Sequence, residues 1–295
     1  MSSLRSSISS DGKTSSELEV KRGPLDWDLM VAYFARRAIP GVEHVADGVY
    51  RRTVVVGGTP SYIELAPAGS THVTLRCGVP VDGVVPRARR IINLDAPVGA
   101  ANRHLAGDSV LGPLVAARPG LRVPGAWDPF EVGVRAIIGQ QVTVTAASTI
   151  TGRLAARLGK PVAGLAELGL QRVFPPPETV ARGDLSGLGL TGARAEALRT
   201  FAAAVAAGDV PLDQDIALDD LVTALTDLRG LGPWTAQYVA LRLGHPDAFP
   251  GTDLGVRRAL ERLDPRSQPI GARAEAWRPW RASAVVHLWA SDRVP

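Results

Sequence analysis

The hydrophobic pattern of the chain changes near residue 98, and this change constrains the fold more than any other feature. Three earlier segments have the length and β-branched content of strands, at 50–56, 61–65 and 71–77. The Gly57-Gly58 pair between the first two is typical of a hairpin turn. Later segments have helical spacing, at 128–138, 142–158, 193–207, 219–228, 233–243, 253–263 and 279–289. The sequence therefore predicts an α+β chain in which a small antiparallel β-sheet precedes a mostly helical region.

These patterns also suggest domain boundaries. Residues 1–23 have eight serines in the first sixteen positions and little apolar pattern, so we expect a disordered tail there. An α+β N-terminal domain is expected over 24–98, where a helix at 28–34 comes before the strands. The helical domain then covers 99–295.

Composition excludes several classes of protein. No apolar run approaches the roughly 20 residues of a membrane span, so we expect no membrane partner. The single cysteine, Cys77, rules out an intramolecular disulfide and a cysteine-ligated zinc or iron–sulfur site, and we expect a cytoplasmic protein. Only three of the 33 basic residues are lysines. Arginine suits phosphate recognition, although coding bias explains its excess equally well.

The densest motif is Leu228-Arg229-Gly230-Leu231-Gly232-Pro233-Trp234-Thr235-Ala236. One predicted helix ends at its start, Gly230 and Gly232 permit a tight reversal, and Pro233 opens the next helix. Such a turn directs free backbone N–H groups outward, where they can hold a DNA phosphate without reading sequence. An ordinary interhelical turn accounts for the same residues, so both interpretations remain open.

An aspartate follows this motif at a helix start. Trp234 and Tyr238 lie four residues apart, on one helix face. Asp253 comes nineteen residues after Trp234, with Arg257 one helical turn beyond it. A plain N-cap explains an isolated aspartate in this position as well as a catalytic role does.

Together these features resemble the helix-hairpin-helix superfamily of DNA glycosylases, and within it the bacterial 3-methyladenine DNA glycosylase II family. The resemblance extends from 24 to 295 and is carried, in order, by residues 26–27, 38–47, 117–122, 130–140, 277–281 and 287–289. It implies a two-part helix-hairpin-helix glycosylase domain, with a central part at 126–247 and a second part formed by 99–125 and 248–295. The damaged base would bind in the cleft between them.

The resemblance implies a monofunctional enzyme of base excision repair that flips alkylated bases, 3-methyladenine and related N-alkylpurines, out of duplex DNA. Asp253 becomes the catalytic carboxylate, because cleaving the N-glycosidic bond builds positive charge on the sugar that an anion stabilises. Whether Asp253 also activates water is left open. Strand-nicking relatives use a lysine at the position of Trp234, and no lysine follows Lys160 here, which opposes a bifunctional glycosylase/lyase. A non-catalytic damaged-DNA-binding module is the other alternative.

The same resemblance assigns the base pocket. It places Trp234, Tyr238 and Trp289 in the pocket walls, where aromatic rings favour a cationic base. Leu254 stands where the best-known relative has an aromatic residue, which thins the pocket and leaves the preferred lesion open. We expect Trp277 and Trp280 to pack in the core, as large aromatics usually do.

The remaining assignments concern the grip on DNA. The resemblance places Gln141 as the wedge that fills the gap left by the flipped base, whereas the residues alone equally suggest a solvated loop amide. Gly230, Gly232, Thr235 and Arg257 are expected to contact DNA. A monovalent cation, Na⁺ or K⁺, is implied at backbone carbonyls of the hairpin, those of Thr226, Leu228 and Leu231. We expect no other cofactor, and a monomer that acts on double-stranded DNA containing alkylated bases, associated with the nucleoid.

Overall fold

A six-stranded antiparallel sheet forms the first part of the chain. The computed structural model describes residues 6–8, 14–20, 22–80, 83–212, 215–265 and 269–291. The strands are β1 (Ser6–Ile8), β2 (Thr14–Glu19), β3 (Glu43–Ala46), β4 (Val49–Val56), β5 (Thr59–Ala68) and β6 (His72–Cys77). Their spatial order is β1-β2-β6-β5-β4-β3. The predicted hairpin between β4 and β5 is confirmed, since Gly57 and Gly58 have φ angles of 56° and 80° that favour glycine.

The prediction of a disordered tail over residues 1–23 is wrong for the tail residues that the structure describes as strands, those of β1 and β2. β2 pairs with β6 along its whole length, and Leu18 lies opposite Val73 with only 1% of its surface exposed. Ser16 and Leu18 are buried while Glu17 and Glu19 are exposed, so the side chains of β2 alternate between buried and exposed as in a half-buried strand. The serine-rich composition hid this pattern, and the β6 partner lies more than fifty residues away. Residues 1–5, 9–13 and 21 of the tail lie outside the described residues.

Thirteen α-helices flank the sheet and follow it in the described chain. They are α1 (Trp27–Arg37), α2 (Val85–Ile91), α3 (Val98–Leu105), α4 (Leu111–Ala117), α5 (Pro129–Ile138), α6 (Val144–Leu158), α7 (Pro177–Arg182), α8 (Gly192–Ala207), α9 (Leu218–Thr226), α10 (Pro233–Leu243), α11 (Leu254–Leu263), α12 (Ile270–Glu275) and α13 (Arg281–Ser291). Each helix predicted from spacing is present, with ends that shift by a few residues. The helices without a prediction, α2, α3, α4, α7 and α12, have eight residues or fewer, too short for periodicity to be visible.

Side-chain caps fix several helix starts. Asp128 accepts the Phe130 N–H at the start of α5, at 2.9 Å, as the Asp-Pro pair predicts. Thr143 and Thr191 cap α6 and α8 in the same way. Such caps satisfy backbone donors that the helix itself leaves free.

Two large hydrophobic clusters make the core. One lies between α1, α2 and the sheet and contains Met30, Phe34 and Leu65. The other fills the helical region, where Phe130 of α5 stacks on Phe201 of α8 with ring centroids 5.5 Å apart. No helix in the described ranges combines the length and apolarity needed to cross a lipid bilayer.

Buried ion pairs join the sheet to the helical region. Arg52 of β4 contacts Glu131 of α5 at 2.6 Å, and Arg135 of α5 contacts Glu43 of β3 at 2.7 Å. Arg135 also donates to the backbone oxygen of Arg37 at the end of α1. These contacts hold α1 beside α5, on the side where the candidate site lies.

Candidate active site

The glycine-rich turn joins α9 to α10. Gly230 has a φ of 90°, and a Cβ atom there would lie 2.6 Å from the Cβ of Ala197 in α8. Glycine is therefore required both by the backbone conformation and by the approach of α8. Gly232 is the N-cap residue of α10 and provides no side-chain cap, so the first N–H groups of α10 stay available to an external acceptor.

Asp253 is held by three N–H donors from three helices. Its Oδ1 accepts the Val256 N–H of α11 at 3.1 Å and the indole N–H of Trp289 in α13 at 2.9 Å. Its Oδ2 accepts the indole N–H of Trp234 in α10 at 3.0 Å. Asp253 is thus an N-cap, as its position suggested, and its carboxylate is also fixed at the meeting point of α10, α11 and α13. Both oxygens are oriented before any substrate binds.

The predicted aromatic residues come together around this carboxylate. Trp234 and Tyr238 stack with their ring centroids 5.4 Å apart and their planes 19° apart. Tyr238 and Trp289 lie 6.1 Å apart at 49°. By contrast, Leu254 directly follows Asp253 but is 57% exposed on the first turn of α11. The ring contacts join three of the four predicted pocket residues, Trp234, Tyr238 and Trp289.

The other two tryptophans of the helical region pack against its core. Trp277 is 1% exposed and donates its indole N–H to Asp108 at 2.9 Å. Trp280 is partly buried against the helical cluster. The predicted separation between pocket tryptophans and core tryptophans thus matches their contacts.

A cavity of about 220 Å³ opens between α1 and α13, next to Trp289. Tyr33 and Arg37 of α1 line it together with Trp289 and Pro124. Neither α1 residue was predicted to take part in the site. The sequence predicted only a helix at 28–34 in this region, and the approach of these two residues to α10 depends on how α1 docks against α5.

Tyr33 and Arg37 belong to a buried cluster around Tyr238. The Tyr33 and Tyr238 hydroxyls lie 3.5 Å apart, and Arg242 donates to the Tyr238 hydroxyl at 3.2 Å. Burial raises the pKa of Tyr238, but the charges of Arg242 and Arg37, the hydrogen bond from Tyr33 and the charge of Arg135 lower it more, to about 7. The pKa of Tyr33 is raised, chiefly by burial.

The turn between α5 and α6 is fastened to the glycine-rich turn. The Gln140 amide donates to the backbone oxygen of Gly230 at 3.1 Å and to the Thr235 hydroxyl at 3.0 Å. Arg194 of α8 donates to the Gln140 backbone oxygen at 2.6 Å. Gln141 is exposed and has a φ of 56°, a conformation that residues with a Cβ rarely adopt. Gln140 thus supports a turn whose tip is Gln141.

Two predicted DNA contacts occupy different environments. Arg257 is exposed on α11, one turn from Asp253. Thr235 is only 2% exposed and its hydroxyl accepts from Gln140, so its backbone N–H in the first turn of α10 is the group left for the predicted DNA contact, which stays a prediction. Thr235 lies on the face of α10 that packs on the α5–α6 turn, which the sequence alone did not reveal.

Among the described residues, no three His, Cys, Asp or Glu side chains lie close enough together to share a metal ion. Near the hairpin, α9 ends at Thr226, and the Leu228 carbonyl accepts the Leu231 N–H at 3.1 Å. The last carbonyls of a helix lack partners within it, and a carbonyl oxygen can accept twice. Backbone oxygens of this kind fit an alkali cation.

The glycine-rich turn and Asp253 both lie within a segment that matches a family of base excision DNA repair proteins. Residues 17–128 match the AlkA N-terminal domain, and residues 134–282 match the HhH-GPD superfamily base excision DNA repair protein. The chain belongs to this HhH-GPD superfamily and carries an AlkA N-terminal domain.

Individual relatives agree with this assignment. The chain is 37% identical, over 99% of its length, to the probable bifunctional transcriptional activator/DNA repair enzyme AlkA of Mycobacterium tuberculosis, and it spans 60% of that protein. It is 34% identical to DNA-3-methyladenine glycosylase 2 of Escherichia coli, over 91% of this chain and 95% of that one. The solved 3-methyladenine DNA glycosylase of Archaeoglobus fulgidus superposes with a TM-score of 0.81 at 25% identity, covering 94% of this chain and 98% of that one.

Proposed function

We propose that this protein is a monofunctional DNA glycosylase that flips alkylated bases, 3-methyladenine and related N-alkylpurines, out of duplex DNA and hydrolyses their N-glycosidic bonds. The observation that carries the proposal is the Asp253 carboxylate, held by the indoles of Trp234 and Trp289 beside the Tyr238 ring. The similarity to the 3-methyladenine glycosylases supports the substrate class.

The chemistry follows from where the negative charge lies. An alkylated purine carries positive charge, so it accepts the electron pair of the C1′–N bond and leaves as a neutral base. Positive charge then develops on the deoxyribose. The Asp253 carboxylate stabilises this charge electrostatically, with its orientation fixed in advance by three N–H donors. Water adds to C1′ and loses a proton, which leaves an abasic site.

The aromatic residues supply selection and retention of the base. A base inside a duplex is out of reach, so it must leave the stack before it reacts. The Trp234 and Tyr238 rings, stacked on each other, present electron-rich surfaces beside Asp253. A cationic base gains about 0.5–2 kcal/mol from each such face, which a neutral base does not.

The grip on DNA comes from two adjoining turns. In this proposal the free N–H groups at the start of α10, after Gly230 and Gly232, bind a backbone phosphate. A structural Na⁺ or K⁺ at the carbonyls of Thr226, Leu228 and Leu231 would add positive charge at the same place. Gln141 fills the gap left by the base, and exposed Arg257 meets the backbone near the flipped nucleotide.

Strand cleavage by an amine is disfavoured by the residues present. A lyase needs a lysine that can form a Schiff base, and every residue after Lys160 is something other than lysine. Trp234 occupies the position where the resemblance places the lysine of strand-nicking relatives, and its indole N–H donates to Asp253. We therefore propose hydrolysis alone, by a protein that acts as a monomer in the cytoplasm.

The test is base release from methylated duplex DNA, with each sample divided and half of it treated with alkali. The proposal predicts free 3-methyladenine and strand breaks only after alkali. Breaks without alkali would indicate a lyase. DNA binding without any base release would indicate a non-catalytic binding module.

A further inference from the structure

The base pocket lies against an excess of buried positive charge. Arg52 and Arg135 are matched by the carboxylates of Glu43 and Glu131. Arg242 is only 6% exposed, and its donors reach the backbone oxygens of Pro124 and Gly125, at 2.7 Å each, and the Tyr238 hydroxyl. Among the described residues no carboxylate pairs with it. Burying a guanidinium without an anion is costly, so a nearby acidic group is expected to ionise.

Arg37 adds to this excess. Its guanidinium carbon lies 3.9 Å from the centre of the Tyr33 ring, and its Nη1 is buried with no hydrogen-bond partner in the described residues. It also lines the cavity beside Trp289. Two arginines near the pocket thus lack an acidic partner, and their charge would repel a cationic base.

The Tyr238 hydroxyl faces these cations from several sides. The titratable and charged groups around it are Tyr33 and Arg37 of α1, Arg135 of α5 with its partners Glu43 and Glu131, and Arg242 of its own helix α10. From α13 it meets Trp289, which has no charge. Arg242 and Tyr33 offer it hydrogen-bond donors, and donors stabilise an ionised oxygen.

Building on the proposed function, we propose that Tyr238 is a second anion of the base pocket, ionised by the arginines around it, and that it selects cationic alkylated bases over neutral ones. A phenolate offsets one of the two positive charges of Arg37 and Arg242, and it makes the face of the Tyr238 ring more negative. Asp253 would then stabilise the sugar while Tyr238 attracts the charged base. The lowered pKa of Tyr238, about 7, agrees with this geometry and makes the selection depend on pH.

The ionisation can be tested without activity. The near-ultraviolet absorbance of tyrosinate, followed across pH, should show one of the four tyrosines titrating near pH 7, whereas the pKa values of Tyr33 and Tyr50 are raised by burial. Tyr238→Phe should abolish the early step, and Tyr62→Phe should keep it. Arg242→Gln should move the step upward by removing the charge. An early step that survives Tyr238→Phe, or none in the wild type, would overturn the proposal.

The selection is tested by comparing release of 3-methyladenine from methylated DNA with release of hypoxanthine, a neutral base, from inosine-containing DNA. The ratio of 3-methyladenine release to hypoxanthine release should rise by about fivefold or more as the pH is raised through 7, an effect of the size expected for one cation–aromatic contact. In Tyr238→Phe the ratio should not change with pH. If the wild type showed the tyrosinate step near pH 7 but a release ratio that did not change with pH, Tyr238 would not select cationic bases, and the proposed function would stand. If the wild type released neither base, the proposed function would fail, and selection with it, whatever the absorbance showed.

Discussion

The indole nitrogen of Trp234 lies 3.0 Å from Oδ2 of Asp253, which makes the aromatic wall and the carboxylate one hydrogen-bonded unit. Trp289 completes this unit from the other oxygen, and Tyr238 contacts both indole rings. In the proposed function this unit both binds the base and stabilises the sugar, so a change in one of its side chains should affect both steps.

Replacing Trp234 by phenylalanine separates these effects. Trp234→Phe keeps an aromatic face but removes the donor to Oδ2, so Asp253 loses part of its orientation. A hydrogen bond to a charged group is worth about 1.5–3 kcal/mol, which predicts base release slower by about 10- to 100-fold under single-turnover conditions. Trp280→Phe, outside the hydrogen-bonded unit, is the matched control and should react at nearly the wild-type rate. Equal rates for the two variants would show that the indole donor is irrelevant to the reaction.

Adding a methyl group at Gly230 should disturb the hairpin. Gly230→Ala imposes a positive φ on alanine and puts a Cβ atom 2.6 Å from that of Ala197, whereas Gly208→Ala imposes a similar φ in open space. We expect Gly230→Ala to lower the free energy of unfolding by about 1–3 kcal/mol more than Gly208→Ala, and to weaken DNA binding selectively. Denaturant unfolding and binding to undamaged duplex DNA measure the two effects. Equal losses in both variants would contradict the close approach of α8.

The two glutamines of the α5–α6 turn should behave differently. Gln140→Leu removes both bonds to the hairpin and leaves the buried Thr235 hydroxyl without its partner, so we expect a stability loss of about 1–3 kcal/mol together with slower base release. Gln141→Ala removes an exposed side chain and should leave stability nearly unchanged while slowing base release from duplex DNA. Thermal unfolding and single-turnover kinetics distinguish them. Loss of stability in Gln141→Ala would argue against a wedge.

Buried His287 should contribute to acid sensitivity. Burial and the charge of Arg118 lower its pKa from 6.5 to about 4. The unfolded chain therefore binds a proton at a higher pH than the folded protein does. The contribution of neutral His287 to the free energy of unfolding is complete above about pH 6.5. It is lost as the pH falls toward 4, by up to about 3 kcal/mol. His287→Gln should flatten urea-derived stability over this range more than His72→Gln, which changes a partly exposed histidine. The same slope in both variants would exclude His287 as the source.

Local signals predicted the parts of the fold that depend on neighbouring residues. The cap at Asp128, the hairpin at Gly57-Gly58 and the helix beginning after Asp253 are each specified by a few adjacent positions, and each is confirmed. The strand β2 was missed because its serines look like a tail and its partner β6 is distant in sequence. Pairing over such separations leaves little trace in one sequence.

The candidate site likewise has features that the sequence indicated and features that only the structure revealed. Spacing placed Trp234 and Tyr238 on one face of α10, but the resemblance to the glycosylase family was needed to group them with Asp253. The two indole bonds to the carboxylate became visible only in three dimensions. Tyr33 is 205 positions from Tyr238, and their contact depends on the docking of α1 against α5, where Arg135 donates to the Arg37 backbone oxygen. Thr235 stands beside the glycine-rich turn in the sequence, and its burial under Gln140 likewise became visible only in three dimensions.

The Asp253→Asn variant shows whether the charge of the Asp253 carboxylate stabilises the sugar cation. Asparagine caps helices about as well as aspartate, so the variant should fold, with a melting temperature close to that of the wild type. The measurement is single-turnover release of 3-methyladenine from methylated duplex DNA by equal amounts of folded protein. We predict a fall of about 100-fold or more with DNA binding retained, because the amide has lost the negative charge. Release at the wild-type rate by folded Asp253→Asn would contradict the account.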